Sequence, residues 1–314
     1  MQFTHHLSPL QALNSRFFPN LRLWVKRDDL LHPEVSGNKF RKLKYPFLAL
    51  QNFSPTLVTM GGAWSNHLHA VAHAAKMAKY SVTALVRGHD DNNLPITATL
   101  QDCQHLGMEI CFVNRSDYRE LRNDANAWRR HIKNSSASTV WIPEGGSAPA
   151  ALHGVAELVN ELFNADVGDS VFVPDTLVVA CGTGATLAGL LAGLRGRGRV
   201  IGISAIKNSD YLHQEIANLL RQAGYPPYQN YQLLSEFHHG GYAKAPPVLR
   251  QFCYNFSLET GIPIEPVYTG KMFYALHKLA ESGQFSPTEN VVAIHTGGLQ
   301  GSRGLLGTSE ISSN

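Results

Sequence analysis

Thr176-Leu177-Val178-Val179-Ala180-Cys181-Gly182-Thr183-Gly184-Ala185-Thr186-Leu187-Ala188-Gly189 is the stretch on which the fold turns. Thr176 to Ala180 reads as a buried strand, and Ala185 to Leu194 reads as a helix. Between them, Gly182 and Gly184 let the backbone turn tightly and come close to an anion. Thr183 and Thr186 add hydroxyls, and the helix N-terminus adds its dipole. The glycine spacing is not that of a dinucleotide fingerprint, and no lysine follows as in a nucleotide P-loop. A tight turn with no ligand remains the alternative for this segment alone. The run is uncharged for nearly the length of a membrane span, but its glycines and threonines argue for a buried strand, turn and helix.

The same alternation extends outward. Strand-like runs are Thr56 to Met60, Ser81 to Val86, Glu109 to Val113, Thr139 to Ile142, Val200 to Ser204 and Val291 to His295. Helical patterns lie between them at Ser65 to Ala78, Pro95 to Leu106 and Ala150 to Phe163. Strands alternating with helices predict parallel α/β sheets with right-handed crossovers. The polar link Asn164 to Ser170 is a candidate division between two lobes. A length of 314 residues allows one large or two ordinary domains.

A net charge of +3 gives no general attraction to nucleic acid. Arg195, Arg197 and Arg199 alternate with glycine and read as the solvated end of a helix. Cys103, Cys111, Cys181 and Cys253 form no CxxC pair and no disulfide framework, which suits a reducing compartment. The start of the chain, Met1 to His6, carries no charged region followed by an apolar run, so no signal peptide is expected. The expected location is cytoplasmic, with no membrane and no nucleic-acid partner.

Far upstream lies Ser36-Gly37-Asn38-Lys39-Phe40-Arg41-Lys42-Leu43. A lysine amine becomes a nucleophile when burial or nearby cations lower its pKa. A helical turn would set Lys42 beside Lys39, and their repulsion favours the neutral amine. Read alone, the segment also fits a solvated basic helix start capped by Asn38. Taken with the glycine turn, it offers an amine for an aldehyde and a cradle for a phosphate. Pyridoxal 5′-phosphate (PLP) carries both groups.

Further motifs run in order along the chain: Trp24-Val25-Lys26-Arg27-Asp28-Asp29-Leu30, Gly61-Gly62-Ala63 before Ser65-Asn66-His67, Pro143-Glu144-Gly145-Gly146-Ser147, Val267-Tyr268-Thr269-Gly270-Lys271 and His295-Thr296-Gly297-Gly298. Together with the lysine and glycine segments, they resemble the fold-type II (tryptophan synthase β-like) PLP enzymes. The branch most similar is that of the D-cysteine desulfhydrases and 1-aminocyclopropane-1-carboxylate (ACC) deaminases. The resemblance implies two parallel-sheet, three-layer αβα domains with PLP in the cleft between them. The larger domain would comprise residues 1–49 and 156–314, the smaller inserted domain 50–155, and the protein would be a homodimer. Lys39 matches the lysine that holds PLP covalently and exchanges protons at the substrate carbon. Asn66 matches the partner of the cofactor's phenolic oxygen. Gly182, Thr183, Gly184, Ala185 and Thr186 match the phosphate cup, with Lys42 adding charge. Ser65 matches the site for the substrate carboxylate, within a substrate-binding group of Trp64, Ser65, Asn66 and His67. Tyr268 and Tyr242 match the active-site tyrosines. Thr269 matches the position facing the pyridine nitrogen, and Thr296 falls near the ring.

Thr269 separates two chemistries. A carboxylate there would keep the pyridine nitrogen protonated and make the ring a strong electron sink. The ACC deaminases carry a glutamate at that place. A threonine suits a weaker sink, which suffices when a thiolate leaves from the β-carbon. The expected reaction is α,β-elimination from D-cysteine to pyruvate, hydrogen sulfide and ammonia. The alternatives are ACC deamination to 2-oxobutanoate and ammonia, a racemase or β-eliminating ammonia lyase, a non-catalytic PLP carrier, and an NAD-binding protein. Two departures bear on the substrate: Trp64 stands where the family has glutamine, and Lys244 follows Tyr242-Ala243. An indole would narrow the pocket or stack on the substrate, and Lys244 reads as a surface lysine or an anion contact. His69 and His73 have zinc-like spacing but no HExxH glutamate and no third ligand, so no metal is expected. His5-His6 and His238-His239 read as incidental.

Overall fold

The computed structural model describes residues 7–88, 96–133, 136–167 and 172–305. Met1 to His6, Pro95 and residues 168–170 of the polar link lie outside them. Ten strands are described: β1 (Leu10–Leu13), β2 (Arg22–Lys26), β3 (Thr56–Gly61), β4 (Ser81–Arg87), β5 (Met108–Val113), β6 (Thr139–Ile142), β7 (Thr176–Cys181), β8 (Arg199–Ser204), β9 (Tyr231–Leu234) and β10 (Asn290–Ile294). The helices are α1 (Asn38–Leu48), α2 (Asn66–Ala78), α3 (Ala98–His105), α4 (Arg115–Asn123), α5 (Pro149–Phe163), α6 (Ala185–Leu194), α7 (Tyr211–Gln222), α8 (Pro247–Thr260) and α9 (Thr269–Glu281). The described elements form two sheets, ordered β1-β2-β10-β7-β8-β9 and β5-β4-β3-β6. Every pairing is parallel except β1 with β2.

β7 is an interior strand of the larger sheet and α6 packs on it, and every residue of both is buried. A segment covered on both faces needs a continuous apolar run, which explains the absence of alternation in its sequence. Gly189 and Gly193 let α6 approach α5: a Cβ on Gly189 would lie 2.4 Å from Val155 Cβ. Leu152, Val155 and Val159 of α5 share one core with α6, so α5 runs through the 155/156 division expected from the sequence. Phe40, Leu43 and Phe47 of α1 pack instead into the core of the smaller sheet with α2. The helix that begins beside Lys39 thus bridges the two layers.

A buried ionic cluster fixes that helix. Arg41 donates to Asp28 at 2.6 and 2.7 Å and to Glu161 at 2.8 and 3.0 Å. Lys26 Nζ lies 2.6 Å from Glu161. Burial pushes the Glu161 carboxyl up, and its bonds to Arg41 and Lys26 more than reverse this, leaving it below its ordinary value. Its contribution to stability is therefore present above the unfolded-state value and is lost as pH falls through the folded one. Glu161→Ala removes the carboxylate paired with buried Lys26 and one of the two that hold Arg41, and should cost about 3–5 kcal/mol near pH 7. Urea unfolding checks this: a midpoint equal to wild type would mean the cluster contributes nothing.

Candidate active site

Lys39 is the second residue of α1. No side chain caps this helix: Gly37 holds the N-cap position, and Asn38 starts the helix. Asn38 does other work. Its Oδ1 accepts from Lys39 Nζ at 2.9 Å, and its Nδ2 donates to Thr186 Oγ1 at 2.9 Å. The amine and the glycine turn, far apart in sequence, are one hydrogen-bonded unit. Burial lowers the Lys39 pKa to about 8. The repulsion expected from Lys42 is not the cause for Lys39. Lys42 itself is held well below its ordinary value, first by burial and then by Lys39. Lys42 Nζ donates to Gly145 O at 3.2 Å.

Gly184, with φ of 79°, caps α6, so the free N–H groups of the first turn point out of the helix end. Thr183 Oγ1 accepts from Ser147 Oγ at 2.6 Å, tying this turn to the 144–147 loop after β6. Tyr268 lies across the turn, since a Cβ on Gly182 would be 3.2 Å from its ring. Tyr242 meets Tyr268 edge to face, with ring centroids 6.0 Å apart. Burial pushes the Tyr268 phenol well above its ordinary value, so it is neutral. Lys271 Nζ donates to Ala205 O at 3.1 Å and Gly241 O at 2.8 Å, which fixes the Tyr242 loop to α9.

On the smaller sheet, Ser65 caps α2, accepting from the His67 and Leu68 N–H groups. An accepting hydroxyl keeps its own proton free for an anion. Asn66 Nδ2 donates to Gly298 O at 3.1 Å, while its buried Oδ1 has no partner. Gly298 and Gly301 make room for it: a Cβ on either would lie 2.4 and 2.8 Å, respectively, from the Asn66 amide. His67 is buried, facing Thr59 through Nε2 at 2.9 Å and Lys42 and Gly146 on its other side. Thr59 donates its own proton to Ile142 O, so His67 Nε2 is the donor and Nδ1 a bare, unpartnered acceptor. Trp64 packs its indole on the backbone of Gly304. Lys244 is exposed. Thr296 is buried beside α1, its carbonyl accepting from Asn38 N at 3.2 Å.

These residues suit PLP. Lys42 is buried and Lys39 half-buried, and each has only a neutral oxygen as hydrogen-bond partner; a bound anion is what would keep either amine charged there. Asn66 Oδ1 is a buried, orphaned polar atom. A family model described as "Pyridoxal-phosphate dependent enzyme" matches residues 4–297. The chain belongs to the pyridoxal-phosphate dependent enzymes. This PLP enzyme is 28% identical over 314 residues to the bifunctional D-cysteine desulfhydrase/1-aminocyclopropane-1-carboxylate deaminase of Arabidopsis thaliana, covering 95% of this chain and 77% of that one. It is 26% identical to the D-cysteine desulfhydrase of Salmonella paratyphi A, covering 90% and 88%. Its structure matches the crystal structure of an ACC deaminase homologue with a TM-score of 0.78 and 27% identity, over 96% of this chain and 92% of that one.

Sequence reasoning gave no role to Ser147 or Glu265, and to Asn38 only that of a helix cap, a position that Gly37 holds instead. Glu265 is buried, and its carboxylate accepts from the N–H groups of Val267, Tyr268 and Thr269 at 2.7 to 2.8 Å. An acid four residues before a helix start, where free N–H groups and the positive end of the helix favour a carboxylate, is a signal that could have found it. His69 lies 3.7 Å from Asp102, which Arg303 also holds at 2.6 Å. Among the described residues no group of three His, Cys, Asp or Glu side chains could hold a metal. No described helix is long and apolar enough to cross a membrane.

Proposed function

We propose that this enzyme eliminates a β-substituent from a small amino acid, and that its preferred substrate is D-cysteine. Water and D-cysteine give pyruvate, hydrogen sulfide and ammonia. The observation that carries the reading is Thr269: the first residue of α9 bears a hydroxyl where a carboxylate would make the strongest electron sink. PLP, when bound, withdraws electrons from the substrate's α-carbon. Lys39 anchors the cofactor and then accepts the α-proton on Nζ. Ser65 Oγ and the α2 N-terminus bind the substrate carboxylate. Tyr268, neutral and set over the glycine turn, stands ready to donate its phenolic proton to the departing sulfur. Asn66 orients the ring, and residues 182–186 with Lys42 hold the phosphate. A homodimer in a reducing, cytoplasmic setting belongs to the same proposal. All four cysteines are free, as such a setting requires.

The test is product release by the PLP-loaded protein from D-cysteine, L-cysteine and ACC in parallel. Pyruvate and sulfide in equal amounts from D-cysteine, exceeding either product from the others at least tenfold, is the expected result. Release of 2-oxobutanoate from ACC as the faster reaction would replace this reading with ring opening.

A further inference from the structure

Glu265 closes a ring of hydrogen bonds with Thr269. Thr269 Oγ1 accepts from Glu265 N at 3.0 Å and lies 3.2 Å from Glu265 Oε1. Glu265 O is a second acceptor for the hydroxyl, at 3.3 Å. Both side chains are buried, Thr269 completely. A hydroxyl has one proton and two lone pairs, and one lone pair is already taken by the Glu265 N–H. The state of the carboxyl decides the rest. An ionised Glu265 is the strongest acceptor nearby and draws the Thr269 proton back onto itself. A neutral Glu265 can donate to the second lone pair instead, which frees the Thr269 proton to donate elsewhere.

We propose that Glu265 is a positioning residue for the ring nitrogen of PLP, its carboxyl proton setting whether the Thr269 hydroxyl donates toward that nitrogen or turns away. The proposal rests on the reading that Thr269 faces the nitrogen. Glu265 is suited to the role near neutral pH. Burial raises its pKa to about 7, against the opposing effect of the three backbone N–H groups and the Thr269 hydroxyl. The other ionisable groups that it senses are Lys271 on α9, the phenols of Tyr268 and Tyr242, and Cys253 on α8. Burial holds Tyr268 neutral and raises the Cys253 thiol to about 12. Burial lowers Lys271 to about 8. A substrate-free holoenzyme thus has a neutral-pH switch in the hydrogen bond offered to its cofactor.

The experiment is 15N NMR of the holoenzyme carrying PLP labelled at the ring nitrogen, between roughly pH 5.5 and 9. Wild type should show a hydrogen-bonded nitrogen at low pH and one step toward the unbonded position, with a midpoint near 7. Glu265→Gln imitates the neutral acid and should stay hydrogen-bonded throughout, with no step. Thr269→Val should be unbonded at every pH. If Thr269→Val matches wild type, Thr269 does not face the nitrogen and the underlying reading fails. If Thr269→Val differs but Glu265→Gln keeps the step, the placement stands and the role of Glu265 is overturned. Should Glu265→Gln fail to fold, the wild-type titration decides alone, because a signal without a step overturns the proposal.

Discussion

Lys39→Ala should leave a folded protein that releases no product and retains no PLP after borohydride reduction, whereas the wild type gains the cofactor's mass. A loss of at least roughly 10³-fold in turnover corresponds to about 4 kcal/mol of transition-state stabilisation. Covalent PLP on the alanine variant would mean that another amine holds it, and Lys42 is the neighbour to examine. The wild type carries a second signature. Burial places the Lys39 pKa near 8 rather than at the ordinary 10.5. Capture of PLP by the cofactor-free protein should accelerate as pH rises and level off above about 8. At pH 7 roughly one amine in ten is then neutral, against about one in three thousand for an unperturbed lysine. A rate still climbing at pH 10 would show that burial does not tune this amine.

The parts of the fold that were legible are those whose environment is uniform. β7 and α6 match the strand and helix expected there to within a residue, because segments buried on all sides tolerate only apolar residues. β1, β2 and β9 lack the apolar run that marks the buried strands. β2 contains Arg22 and Lys26, and Lys26 is buried only because Glu161, 135 positions later, neutralises it. β1 and β9 are edge strands, partly exposed, whose pairing depends on the neighbour they meet. The site divides in the same way. Lys39 and the glycine turn are legible because bonding an aldehyde and cradling a phosphate demand those residue types. Asn38 and Ser147 are not, because each acts by meeting a hydroxyl on a distant segment. Of the two causes that can lower the Lys39 pKa, burial and a nearby cation, burial is the one that acts, and helical spacing reveals only the nearby Lys42.

Gly37→Ala should be the most damaging small substitution near the site. Gly37 has φ of 62° and ψ of −139°, a conformation that residues with a Cβ scarcely adopt. Its position is also crowded: a Cβ would lie 1.8 Å from Thr296 O and 2.7 Å from Gly297 N. The chain cannot rotate away, because Gly37 N donates to Asp28 O at 3.1 Å and Asn38 N donates to Thr296 O at 3.2 Å. Strain and overlap together should cost about 3 kcal/mol or more. The same displacement would move Asn38, and with it both Lys39 and Thr186, so PLP affinity should fall at least tenfold. Gly62→Ala is the control, since nothing lies within 4 Å of its added methyl although it sits three residues from Ser65. Urea unfolding and PLP titration of the two variants separate the causes. Equal losses in both would point to general fragility around the cleft, whereas a loss confined to Gly37→Ala would tie cofactor binding to the contact between the 36–38 and 295–298 loops.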